Sequence, residues 1–177
     1  MVRYISLLLF VGLAWGQNEY NIKHIVDQDS VYKKKFSDEI VNGNIYQMTD
    51  DMKIPLGKMK NGKKDGLWTE WYPNKRKLEE TYRHGMLDGS VSLYYKTGQK
   101  EWRHTYNNGQ FEGLWTYWYE NGQKMREGNF ICGDSTGKWI WWDKNGRVEK
   151  KKKYKNRKNA IWANYNEYVL IETVTEP

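Results

Sequence analysis

The chain of 177 residues is poor in the residues most often used for chemistry and cross-linking. Cys132 is its only cysteine, so an internal disulfide is excluded and no thiol follows an N-terminal apolar run as a lipid-attachment site. Its three histidines, His24, His84 and His104, fall at unrelated positions, and no Cys or His pair stands at metal-ligand spacing. Asp65-Gly66 and Asp88-Gly89 lack the dense oxygen pattern of a calcium loop, and read instead as turn formers. We therefore expect no catalytic residue, no metal and no cofactor. Long hydrophobic runs are missing too, except at the start. Arg3 precedes the apolar stretch Ile5 to Ala14, and Ala14-Trp15-Gly16 places small residues ahead of Gln17. Ten residues of helix are too short to cross a hydrocarbon layer of roughly 30 Å, so residues 1–16 read as a cleaved secretory signal and the mature chain as periplasmic or extracellular.

Acidic residues are almost absent from one strip. The chain carries 29 basic and 22 acidic residues, a net +7. Arg147, Lys150, Lys151, Lys152, Lys153, Lys155, Arg157 and Lys158 are accompanied only by Glu149, so this strip holds most of the excess and the rest is close to neutral. A basic pI arising from one strip does not argue for nucleic acid, and none is expected as a partner. The strip reads in two ways. It is a contact for anionic lipid, wall polymer or an acidic partner, or it is a solvated terminal strand whose lysines block edge pairing.

What the chain has in abundance is glycine and aromatics in a repeated phrase. Asn61-Gly-Lys-Lys-Asp-Gly-Leu-Trp68 returns as His84-Gly-Met-Leu-Asp-Gly-Ser-Val91, Asn108-Gly-Gln-Phe-Glu-Gly-Leu-Trp115 and Cys132-Gly-Asp-Ser-Thr-Gly-Lys-Trp139. The first glycines, Gly62, Gly85, Gly109 and Gly133, are 23, 24 and 24 residues apart, the mark of a repeat architecture. Each phrase leads to a large apolar column (Trp68, Val91, Trp115, Trp139), then Trp71, Tyr94, Trp118 and Trp142, then Tyr72, Tyr95 and Tyr119 with Asp143 breaking the column. A second turn follows at Asn74-Lys75, Thr97-Gly98, Asn121-Gly122 and Asn145-Gly146, and the unit closes on Tyr82, Tyr106, Phe130 or Tyr154. Asn-Gly supplies the positive φ of type I′ turns, so each unit reads as a hairpin. Lys75 in the glycine position, with a shorter segment to Tyr82, predicts a different geometry for the first such turn.

Glycines at this density forbid a sustained helical stripe, at about 1 kcal/mol each. The fold class is therefore all-β: an elongated, twisted antiparallel β-meander of about four hairpin repeats with degenerate half-repeats at both ends. Both faces of a strand such as Leu67 to Tyr72 carry aromatics, so ladders along the sheet take the place of a two-layer core. The domain reading is a signal over 1–16, an N-terminal cap with a half-repeat over 17–56, the repeats over 57–158 and a C-terminal cap or tail over 159–177. Met59 takes the closing-aromatic position in the N-terminal half-repeat, and Trp162-Ala-Asn-Tyr165 keeps the spacing of Trp68 to Trp71.

These phrases resemble MORN repeats of the variant type found in bacterial proteins labelled YwqK-family antitoxins. The resemblance implies a hairpin-repeat sheet used for protein contacts, and the antitoxin label implies neutralising a toxin by binding it. For an exported chain, that toxin would share its compartment. The functional reading is thus a non-enzymatic scaffold or adaptor that binds an unknown protein or an envelope component. One alternative is a glycan- or wall-binding module that stacks ligand on Trp68, Tyr72, Tyr95, Trp115, Tyr119 and Trp139, although a thin sheet needs that ladder as its core. The other is an immunity-like antitoxin.

Overall fold

The computed structural model describes residues 18–155 and the backbone of 170–174. The signal reading, Arg157, Lys158 and the Trp162 to Tyr165 half-repeat lie outside the described residues. Among the described residues the chain is a long meander. Strands β1 (Glu19–Asn21), β2 (Ile25–Gln28), β3 (Val31–Lys34) and β4 (Gly43–Thr49), with a 3-10 turn at Ile22–His24, form the N-terminal part. Hairpins then follow without interruption: β5 (Met52–Lys60), β6 (Lys63–Trp71), β7 (Lys77–Arg83), β8 (Met86–Tyr94) and β9 (Lys100–Asn107). They continue as β10 (Gln110–Phe111), β11 (Gly113–Trp118), β12 (Lys124–Ile131), β13 (Asp134–Trp142), β14 (Val148–Tyr154) and β15 (Leu170–Val174). One 13-stranded sheet runs from β1, parallel to β4, through antiparallel neighbours to β15, while β2 and β3 pair separately. The expected all-β hairpin meander is the observed fold.

The repeated glycine phrase is where the type I′ turns lie. Asn61-Gly62, His84-Gly85, Asn108-Gly109 and Cys132-Gly133 all have positive φ at both residues and join strands by two-residue loops. The other turns, expected as type I′, are built differently. Asn121 and Asn145 are not left-handed; only Lys75, Gly98, Gly122 and Gly146 are, after a turn closed by bonds such as Gly98 N–H to the Tyr95 carbonyl at 2.9 Å. This is the three-residue loop of a type I turn followed by one left-handed residue. The predicted distinct geometry at Lys75 is not found. Lys75 has φ 64°, and its N–H bonds Tyr72 at 2.9 Å, the same bond that Gly98 makes.

The spacing of 23 against 24 has a different cause. In the later units the strand after this turn carries one extra residue opposite a register shift: Glu101, Met125 and Glu149. In the first unit β6 and β7 pair without a break from Gly66↔Tyr82 to Trp71↔Lys77. The missing residue is a β-bulge.

Backbone bonds tie each unit to the one before it. The Gly85, Gly109 and Gly133 N–H groups donate to the carbonyls of Lys64, Leu87 and Phe111 at 2.7 to 2.9 Å. Gly62 has no preceding unit, and Val41 of the N-terminal part supplies the equivalent carbonyl at 2.8 Å. Around that junction sits the one compact apolar cluster of the described residues, Ile25, Val41, Ile45, Met59 and Trp68. Elsewhere the buried apolar side chains, Val91, Leu93, Trp115 and Trp139, lie on one face of the sheet.

Candidate functional site

Strand alternation sorts the aromatic columns onto opposite faces. The first column is interior: Trp68, Val91, Trp115 and Trp139 are 6, 3, 9 and 6% exposed. The second faces the other way: Trp71 is 55% exposed, while Tyr94, Trp118 and Trp142 are half-buried. Two observations account for the burial. Gly57 and Gly128 leave room for indoles, since an added Cβ would lie 2.5 and 2.0 Å from the Trp68 and Trp139 rings. His104 stacks between Trp102 and Trp115, with ring centroids 4.2 and 3.6 Å away. Burial, together with the Arg126 guanidinium, pushes the His104 pKa from the usual 6.5 down to about 4. Its Nε2 finds no hydrogen-bond partner.

The tryptophan ladder is therefore core, as a thin sheet requires, and not the ligand surface of the alternative reading. Trp68, Trp115 and Trp139 are covered, so their faces are not open to stacking. Two of the three tyrosines are committed as well. Tyr95 donates its hydroxyl to the Trp118 carbonyl at 2.9 Å and Tyr119 to the Trp142 carbonyl at 3.0 Å, each reaching into the next unit. Only Tyr72, 37% exposed, faces open space.

That space is a groove of about 560 Å³ on the tryptophan face. Leu78, Val91, Leu93 and Trp102 supply its apolar lining, and Tyr72, Arg76 and Glu80 bring polar groups. It lies at the unit whose first column is valine. Val91 crosses the sheet between Glu80 and His104, with no glycine beside it to admit an indole. The sequence shows Val91 as a lost column; the structure makes it a groove lining. Arg76 pairs with Glu101 through Nη2, while its Nε is buried without a partner. Glu80 lies 3.9 Å from Lys64 Nζ and accepts from the Tyr82 hydroxyl at 3.0 Å. Burial and that carboxylate push the Tyr82 pKa up.

The basic strip is divided. Lys150 and Lys152 pair across from Trp141 and Trp139, whereas Lys151 and Lys153 pair across from Ile140 and Lys138 on the other face. Lys150 Nζ lies 5.5 Å from the Trp141 ring centroid, Arg147 is exposed in the preceding turn and Lys155 is exposed beyond β14. Nor do these lysines guard an edge. β14 pairs with β13 on one side and β15 on the other, so its backbone is already taken. Among the described residues no cluster of three His, Cys, Asp or Glu side chains is arranged to hold a metal ion.

Two of these units have a counterpart among known families. Residues 111–131 and 135–156 match the MORN repeat variant. The matched MORN-variant segments cover the third and fourth units, from β10 to the end of β14. The first two units, with the left-handed Lys75 and the Val91 substitution, lie outside the match. No curated protein matches the chain significantly.

The second column is what sequence reasoning left unassigned. Across the sheet, aromatics and lysines alternate on that face: Trp71 on β6, Lys77 on β7, Tyr94 on β8 and Lys100 on β9. Trp118 on β11, Lys124 on β12 and Trp142 on β13 complete the row. The cross-strand pairs Trp71↔Lys77, Lys77↔Tyr94, Tyr94↔Lys100 and Trp118↔Lys124 are direct. The signal was available in the lysine two residues after Lys75, Gly98 and Gly122.

Proposed function

We infer that the protein is a non-enzymatic binding scaffold whose tryptophan face receives a partner protein in the groove at the second unit. One observation carries this reading: the single interruption of the buried column, Val91, coincides with the groove. Apolar walls with a few polar groups at the rim suit an anchoring side chain of a partner. On this reading residues 1–16 direct export, and the partner is an exported or envelope protein. An exported toxin is one such partner, in which case the scaffold acts as an immunity protein.

Closing the groove tests the inference. Glu80→Gly with Val91→Trp recreates the glycine and indole pairing of Gly57 with Trp68 and Gly128 with Trp139. Envelope extract is passed over the full chain and over this variant, with thermal unfolding to check the fold. We expect a specific partner to bind the former and be lost from the folded variant. Undiminished capture by the variant would move the site elsewhere.

A further inference from the structure

We propose that the aromatic and lysine row on the face opposite the groove binds a linear acidic polysaccharide. This rests on the reading of the chain as a binding scaffold, but on a separate surface. Neighbouring strands are about 4.8 Å apart, so aromatics on every second strand recur at about 10 Å. An extended β-linked disaccharide spans a similar length. Trp71, Tyr94, Trp118 and Trp142 thus present a ring once per disaccharide, and Lys77, Lys100 and Lys124 present a cation once per disaccharide between them.

Two carboxylates on the same face hold the row in place. Glu79 accepts from Lys77 Nζ at 2.7 Å and from the Tyr94 hydroxyl at 2.6 Å. Although burial opposes it, these bonds and the nearby Lys100 hold the Glu79 carboxyl below its ordinary pKa, while burial, with the same contact, raises Tyr94 to about 12. Glu127 likewise accepts from Lys124 Nζ at 2.7 Å and from the Thr116 hydroxyl at 3.2 Å. Each ammonium has three N–H donors, so those bonds orient Lys77 and Lys124 without exhausting them. Lys77 lies 4.2 Å from the Tyr94 ring centroid and Lys124 lies 6.0 Å from that of Trp142. Sugar rings stack on aromatic faces, and uronate carboxylates accept from ammonium groups. A single line of alternating rings and charges suits a chain-like ligand. A planar membrane calls instead for a broad cationic patch, and the sheet divides its richest basic strip between two faces.

Tryptophan fluorescence of the full chain, titrated with an octasaccharide of alternating glucuronate and N-acetylglucosamine, tests the proposal. A neutral cello-octasaccharide and vesicles containing phosphatidylserine serve as comparisons. We expect binding of the acidic octasaccharide, weakening with added salt. The exposed substitution Lys100→Glu should weaken it by up to about fivefold, since a surface charge contact is worth up to about 1 kcal/mol. The groove-closing pair Glu80→Gly and Val91→Trp should leave it unchanged, which separates failure here from failure of the groove reading. No binding of the acidic octasaccharide, equal binding of the neutral one, indifference to Lys100→Glu, or binding of vesicles alone would each overturn the proposal.

Discussion

Lys75 occupies a backbone conformation in which Gly98, Gly122 and Gly146 stand in the other units. An L side chain in the left-handed region costs roughly 1–2 kcal/mol, part of which glycine returns through the freedom of the unfolded chain. Lys75→Gly should therefore stabilise the protein by about 1 kcal/mol, read as a higher denaturation midpoint at unchanged slope. No gain would mean that the lysine side chain compensates the strain. His104 makes the opposite kind of statement. Its folded pKa of about 4 lies below the usual 6.5, so the unfolded chain binds the proton first. Stability is fully present above pH 6.5 and falls as pH drops towards 4. Allowing for solvent near a thin sheet, the loss is about 2 kcal/mol. His104→Phe keeps a flat ring between Trp102 and Trp115 and should flatten that segment of the stability profile. Neither residue could be read from the sequence. A lysine in a glycine column resembles a changed turn, and a histidine in a strand gives no sign of the two indoles that enclose it.

At the scale of strands and turns the sequence was more legible. The period, the two runs per unit and the antiparallel order follow from spacing alone. Which column is interior followed only from the need of a thin sheet for a core, because both faces carry aromatics; Gly57 and Gly128 decide it, and they lie outside the repeated phrase. The β-bulges were visible only as a one-residue difference in spacing. The tyrosine column looked like part of a ligand face because a hydroxyl bonded to the next unit's backbone leaves no trace in a single unit. Tyr95→Phe and Tyr119→Phe should each cost about 1 kcal/mol, the usual net value of one hydrogen bond. The two bonds share no partner, so the double variant should show the sum. A double variant no worse than either single would show that these bonds do not act at separate steps of the stack.

Over the whole molecule, units touch mainly their neighbours, and stability should behave as a sum of unit and junction terms. Deleting residues 109–132 removes one period and joins Asn108 to Gly133, restoring the same turn phrase. The shortened chain should still unfold cooperatively, at a lower midpoint, in a calorimetric scan. Loss of a cooperative transition would show that the units are not interchangeable. The bond from each phrase glycine to the carbonyl before it runs between main-chain atoms. The bond does not involve the side chain preceding that glycine, so Asn, His and Cys all stand there despite the left-handed φ that the turn imposes. A duplicated stretch of the gene inserted at this seam would meet a ready acceptor behind it and offer one ahead. The array can thus lengthen or shorten by inheritance without new contacts being invented, while Val41, lending its carbonyl to Gly62, fixes where the counting begins.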